Sequence, residues 1–238
     1  QNALEYIKEI QKHSNVRVMM RTMVYGSFDH GIFGALERKT DHLLSGKGKP
    51  RQILWKIYSK KSLLCSGALE RSISFANNDR PGIMLSSALR TYVNRWSVCP
   101  GDKIAIFTNN NDGWRTARIL KDRGCNVSAI VDTRKNTSDQ IQGVASFKGS
   151  KVCDTSGHKR IKSIKLDNGT SIQVDCLGIS GGWNPNVHLT CHQRGKPQWS
   201  EKKLCFTPGT MPTGMKAAGS ANGKFSLIEV FQDSLEKT

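Results

Sequence analysis

From Lys103 to Asp132 the chain reads KIAIFTNNNDGWRTARILKDRGCNVSAIVD. Ile104 to Phe107 is a short apolar run with β-branched residues, the pattern of a buried strand. Thr108-Asn109-Asn110-Asn111-Asp112-Gly113 is turn and helix-cap chemistry. Trp114 to Arg123 places Ala117, Ile119 and Leu120 at helical spacing, and Gly124 stops the helix. Val127 to Val131 is a second strand and ends on Asp132. The whole is a βαβ motif of about 30 residues. Such a motif aims helix N–H groups and the helix dipole at an anion, and an acid ending its second strand can bind a ribose. Asp132 has that place, but Gly113 stands alone where a G-x-G-x-x-G fingerprint needs three glycines. Asparagines 109–111 would block close approach of a pyrophosphate, so Asp132 is not expected to be a ribose ligand. Either a nucleotide site or a degenerate fold that only packs is consistent with this stretch.

Outward from the motif, strands are expected over 16–24, 32–36, 52–58 and 62–65, with a helix over 2–12 before them. Met84 to Trp96 has the spacing of an amphipathic helix. Strands are expected at 151–153, 159–166, 172–174 and 176–180. Asn168-Gly169 is a type I′ hairpin signal. A last amphipathic helix carries Phe225, Ile228 and Phe231. Two strands end alike, at Ser66-Gly67 and Ser180-Gly181, on either side of the motif. The economical reading is an α/β fold in which one Rossmann-like domain is inserted in another. Residues 1–75 and 168–238 form the outer domain, and 76–167 form the inner one.

The 238 residues suffice for a sizeable core. No apolar run approaches the roughly 20 residues of a membrane helix, and no signal peptide is visible. The chain opens on Gln1, has its first methionine at Met19 and ends at Thr238 within a helical pattern, so a piece of a longer protein is expected. The net charge of +17 comes from 36 Lys and Arg scattered along the chain. That is a solvated basic surface rather than a nucleic-acid footprint. Seven cysteines, without C-x-x-C, argue against a zinc knuckle or a redox dithiol and fit a reducing cytoplasm. Cys65, Cys176 and Cys205 sit in apolar runs and read as small hydrophobes. His188 and His192 read as structural or interface residues, and Glu70, Arg71, Asp79 and Arg80 as a local ion-pair network. No catalytic constellation is visible.

Several motifs run in order over nearly the whole chain. They are Arg21-Thr22 with Tyr25-Gly26-Ser27-Phe28-Asp29-His30; Ser66-Gly67-Ala68-Leu69-Glu70-Arg71; Asn78-Asp79-Arg80-Pro81-Gly82-Ile83-Met84; Phe107-Thr108-Asn109-Asn110; Ser180-Gly181-Gly182-Trp183-Asn184-Pro185 with Val187-His188-Leu189; and Ala218-Gly219. Together they resemble the alpha subunit of heterotetrameric sarcosine oxidase, within the wider flavoprotein disulfide-reductase-like FAD/NAD(P)-binding fold.

The resemblance implies an oxidoreductase acting on CH–NH donors. It would oxidise sarcosine to glycine with oxygen as acceptor, forming hydrogen peroxide and methylenetetrahydrofolate. It implies NAD in this subunit, and FAD and FMN in the complex, with FMN near the alpha–beta interface. Beta, gamma and delta subunits would be partners, and a C-terminal domain beyond this chain would hold folate. Neither nucleic acid nor membrane is implied. By matching positions Val24, Ser220, Phe225 and Leu227 would contact NAD, with Gly67 and Gly219 as backbone neighbours. No residue is implied to be catalytic, and no metal. The family's Gly-rich loop would lie before Gln1, and its usual Ala-Thr-Gly is Cys65-Ser66-Gly67 here. The alternatives are a subunit of an opine or D-hydroxyproline dehydrogenase, which share the Gly-Ala-x-Glu-Arg motif, or a non-catalytic basic scaffold module.

Overall fold

The computed structural model describes residues 3–46 and 48–237. In chain order it opens with helix α1 (Ala3–Ile10) and strands β1 (Thr22–Phe28), β2 (Ile32–Arg38), β3 (Gln52–Tyr58), β4 (Ser62–Leu64), β5 (Ala68–Glu70) and β6 (Ile83–Leu85). Helix α2 (Ser86–Trp96), β7 (Ile104–Thr108), α3 (Asn111–Asp122), β8 (Val127–Asp132) and β9 (Ala145–Lys148) follow. Then come β10 (Val152–Gly157), β11 (Ile161–Leu166), β12 (Ser171–Gln173), β13 (Cys176–Ser180) and β14 (Trp183–Pro185). The chain closes with α4 (His188–Cys191), β15 (Lys196–Ser200), β16 (Cys205–Thr210), β17 (Met215–Ala217), a 3-10 turn (Gly219–Asn222) and α5 (Leu227–Lys237). No helix among the described residues is long and apolar enough to cross a membrane.

Two compact units result. One comprises residues 1–66, 187–198 and 207–238, and the other 67–186 and 199–206. The second unit is built on a five-stranded parallel sheet in the order β6-β13-β7-β8-β9. Successive side chains of a strand point to opposite faces. Ile104 and Ile106 of β7 therefore join Leu89 and Val93 of α2 and Trp114, Ala117 and Leu120 of α3. Ala105 and Phe107 join Val152, Ile161, Ile164 and Leu166 of the antiparallel sheet β10-β11-β12 on the other side. Strands covered on both faces must be continuously apolar, which is why 104–107 and 176–179 read as unbroken runs. Gly169, at φ +85°, turns the β11–β12 hairpin where Asn168-Gly169 forecasts it.

The first unit contains the antiparallel meander β1-β2-β3 and the parallel pair β17-β4. Most of the chain's exposed large apolar side chains belong to it, including Leu4, Ile7 and Ile10 of α1 and Leu227, Ile228, Phe231 and Leu235 of α5.

The expected domain boundaries, 75/76 and 167/168, are displaced. β13 pairs in parallel with both β6 and β7, so residues 168–186 complete the inner sheet instead of returning to the outer domain. The similar endings at Ser66-Gly67 and Ser180-Gly181 belong to strands of different units. β1 starts at Thr22 rather than Val16, and the helix expected from Met84 is preceded by strand β6. The helix expected over 2–12 and the chain's helical end extend onto Asn2 and Thr238, outside the described residues. Cys65 is exposed, contrary to expectation, whereas Cys176 and Cys205 are buried. Burial, aided by the charge of Asp175, pushes the Cys176 thiol up to about 12. Burial and the neighbouring Cys99 do the same for Cys125.

Candidate functional site

The nucleotide end of the βαβ motif is closed by its own side chains. The Asp132 carboxylate is fully buried. Its Oδ1 accepts from the Arg134 backbone N–H at 2.9 Å and from Arg134 Nε at 3.1 Å. Its Oδ2 accepts from Trp114 Nε1 at 2.7 Å and Arg134 Nη2 at 2.8 Å. Four donors saturate the carboxylate, leaving nothing for a ribose hydroxyl. Arg134 Nη1 also donates to Asn111 Oδ1 at 2.7 Å, tying this end to the start of α3.

That helix start is similarly occupied. Asn110 caps it, accepting from Asp112 N–H at 2.8 Å, while its Nδ2 donates to Ser180 O at 2.9 Å. Asp112 pairs with Arg90 at 2.8 Å. Gly113 serves packing, because a Cβ there would sit 2.3 Å from Thr108 Oγ1. With its carboxylate so occupied, Asp132 has no free acceptor for a ribose hydroxyl.

The first unit offers a different end. In a parallel α/β sheet ligands lie beyond the carboxyl ends of the strands. β4 and β17 run in parallel, and Ala218 N–H donates to Leu64 O at 3.0 Å where both strands finish. Gly219 and Ser220 leave β17 at that end, in the 3-10 turn. Val24 joins Phe33, Ile57, Leu64, Leu189 and Met215 around an apolar cavity of about 290 Å³. The β1–β2 register slips between Val24 and Gly26, a bulge of the kind that frees local backbone groups beside sites.

Four of the six expected contacts, Val24, Gly219, Ser220 and Leu227, thus belong to described elements of the first unit. Phe225 lies in the segment before α5 and is 37% exposed, and Leu227 is 71% exposed. Gly67 falls in the second unit, at φ +73° with open space where a Cβ would stand, and its carbonyl accepts Asn186 N–H at 2.9 Å.

α5 starts at Leu227, so Phe225 lies before the helix rather than in it, and a side-chain cap already occupies part of the helix N-terminus. Ser226 and Glu229 form a capping box there, with Glu229 Oε2 accepting from Ser226 Oγ at 2.8 Å. An acidic side chain holds the place an anion would take.

The charged motif also reads differently in three dimensions. Among the described residues no ion pair joins Glu70, Arg71, Asp79 and Arg80. Glu70 instead caps α2, accepting from Ser86 Oγ at 2.6 Å and Ser87 N–H at 2.8 Å. Arg71 Nη2 donates to Leu204 O at 2.6 Å, and Arg80 Nε to Thr155 Oγ1 at 3.1 Å. His192 Nδ1 accepts Ser27 N–H at 3.3 Å, a structural use. No group of His, Cys, Asp or Glu among the described residues has the arrangement of a metal site. Two residues escaped sequence reasoning: Glu70 as a cap, because its helix begins sixteen residues later, and Asp233, because a lone acid in a helical pattern reads as solvated.

No family model matches the chain. The sarcosine oxidase alpha subunit of Rhizobium meliloti (strain 1021) is 41% identical over 219 residues, 90% of this chain and 22% of that protein. Those of Corynebacterium sp. strains U-96 and P-1 are 35% and 32% identical over 86% and 92% of this chain. The chain therefore spans about a quarter of the length of these relatives, with 22–24% of each covered. Among solved structures, the HOCl-induced flavoprotein disulfide reductase RclA of Escherichia coli aligns over 98% of this chain and 52% of its own, with a TM-score of 0.69 and 14% identity. L-proline dehydrogenase from P. horikoshii aligns over 93% of this chain and 40% of its own, with a TM-score of 0.67 and 19% identity. The chain has the disulfide-reductase-like α/β fold, and its sequence is related to one segment of the alpha subunits of sarcosine oxidases.

Proposed function

We propose that the chain is the dinucleotide-holding part of the alpha subunit of a sarcosine oxidase complex. The observation that carries this is its relation to three such subunits over 86–92% of its length. NAD would lie at the carboxyl end of β4 and β17, walled by Val24, Gly219 and Ser220, with Phe225 and Leu227 beside it. The exposed aromatic and aliphatic side chains at 225 and 227 suit a flat ring system. NAD, when bound, supplies a hydride-accepting nicotinamide, and these residues only bind and orient it. FAD and FMN would serve amine oxidation elsewhere in the complex, and folate would accept the methyl carbon in another domain. The chain itself supplies no acid, base or nucleophile for that chemistry. Cytoplasmic residence and assembly with beta, gamma and delta subunits belong to the same reading. The fold shared with L-proline dehydrogenase favours a second reading, a subunit of an amino- or imino-acid dehydrogenase.

The residues present fit NAD as walls and not as a phosphate cradle. Gly219 N–H is already taken by Asp233, and Ser226 N–H, before α5, by Glu229. Hydrogen bonds from a Gly-rich loop to the phosphates contribute roughly 1.5–3 kcal/mol each. Two of them are worth about 3–6 kcal/mol, a factor of a hundred or more in affinity. Calorimetric titration with NAD should show weak or no binding by this chain, and stoichiometric binding once it is extended through the preceding segment of an alpha subunit. Equal, tight binding by both would place the whole site within these residues. Sarcosine-dependent peroxide should come from the assembled complex and not from this chain; peroxide from the chain alone would refute the assignment.

A further inference from the structure

Asp233 lies in the second half of α5, a helix whose apolar side chains are mostly exposed, yet it is 4% exposed. Among the described residues it has no cationic partner. Burying a carboxylate without a counter-charge is costly, and hydrogen bonds must offset it. Both of its oxygens are committed to the turn that leaves β17. Oδ2 accepts Gly219 N–H at 2.8 Å, and Oδ1 accepts Asn222 Nδ2 at 2.8 Å. The turn has little slack. Gly219 is at φ +64° and Gly223 at φ +72°. Gly223 and Lys224 N–H close back on Ser220 O and Gly219 O at 3.0 and 3.1 Å. A Cβ at Gly219 would sit 3.1 Å from Val230 Cγ1, so α5 also packs against the turn.

We infer that Asp233 is a positioning residue for the dinucleotide: by clamping Gly219 and Asn222 it fixes where Ser220 stands at the carboxyl end of β17. Asp233 does not face the ligand. It spans the turn from behind, with one oxygen on the first residue and one on the last. A side chain without an acceptor would leave the Gly219 N–H unsatisfied. This inference rests on the turn facing NAD, as proposed above.

The test uses the intact oxidase complex with the full-length alpha subunit carrying this sequence, freed of nucleotide and titrated with NAD. Asp233→Leu removes both acceptors and strands the Gly219 N–H. It should weaken NAD binding about tenfold, the equivalent of one lost hydrogen bond to a charged group. Asp233→Asn keeps an acceptor for Gly219 and, once the Asn222 amide turns over, a hydrogen bond to residue 222, so it should keep most of the affinity. Thermal unfolding of each variant separates positioning from folding. If folded Asp233→Leu binds NAD like the parent, or folded Asp233→Asn loses as much affinity as Asp233→Leu, the inference is overturned. Should Asp233→Leu not fold, Asn222→Ala decides alone: weakened binding by folded protein supports the clamp, and parental affinity refutes it. A parent complex that binds no NAD would instead overturn the proposed function, and with it this inference.

Discussion

Two parallel strand pairs, β7/β8 and β4/β17, end in opposite ways. β7 and β8 lie inside a five-stranded sheet covered on both faces, and their carboxyl end is closed by Asp132, Arg134, Trp114 and Asn110. β4 and β17 form a sheet of only two strands; their carboxyl end leads into a glycine turn, and β4 also lines an apolar cavity. The pair that announces a nucleotide fold most clearly in sequence has spent its polar groups on itself. The quieter pair ends in a turn, where the dinucleotide is proposed to lie. A βαβ pattern therefore identifies an architecture, and the side chains at its end determine whether anything can enter.

Four measurements bear on this contrast. The largest effect is expected where the closed end meets the core. Trp114 is fully buried, and Trp114→Ala should cost about 3–5 kcal/mol in urea unfolding. Phe231 in the first unit is 60% exposed, and Phe231→Ala should stay within about 0.5 kcal/mol. Comparable losses from both would erase the distinction between a filled and an open unit.

Next is Asp132→Ala, which strands the Trp114 and Arg134 donors and should cost about 2–3 kcal/mol, since Arg134 is partly exposed and regains water. NAD occupancy of the intact complex should not change. Nucleotide loss from the folded variant would show that the closed end is a site after all.

Glu70→Ala removes the cap of α2 and should cost about 1–2 kcal/mol by thermal unfolding, with Glu70→Gln recovering part of it. No change on truncation would mean that the capping contacts contribute nothing to the closed unit.

The smallest effect concerns the Arg118–Asp139 surface pair. The hydrogen bond from Arg118 holds the Asp139 carboxyl below the usual aspartate range. A lowered folded value means that the pair stabilises above the ordinary aspartate pKa and loses its contribution as pH falls through the lowered one. Arg118→Ala should therefore cost less than about 1 kcal/mol at pH 7 and nothing in strong acid. A difference that persists undiminished at low pH would assign the effect to packing.

The sequence by itself determined the local elements of the second unit. Apolar runs at 104–107 and 127–131, Asn-rich caps, Gly124 and Asn168-Gly169 each specify their structure through backbone and burial preferences acting over a few residues. The ordered motifs from Arg21 to Gly219 likewise pointed to the relatives later found. Only the tertiary structure decided which sheet Cys176–Ser180 joins, because a buried strand carries the same apolar run beside any parallel neighbour. It also decided that Asp132 is consumed by Arg134 and Trp114, and that Asp233 is buried behind the Gly219 turn. Whether a carboxylate meets a ligand, a guanidinium or a backbone N–H depends on which groups the fold brings within about 3 Å, and hydrogen bonds act only at that range.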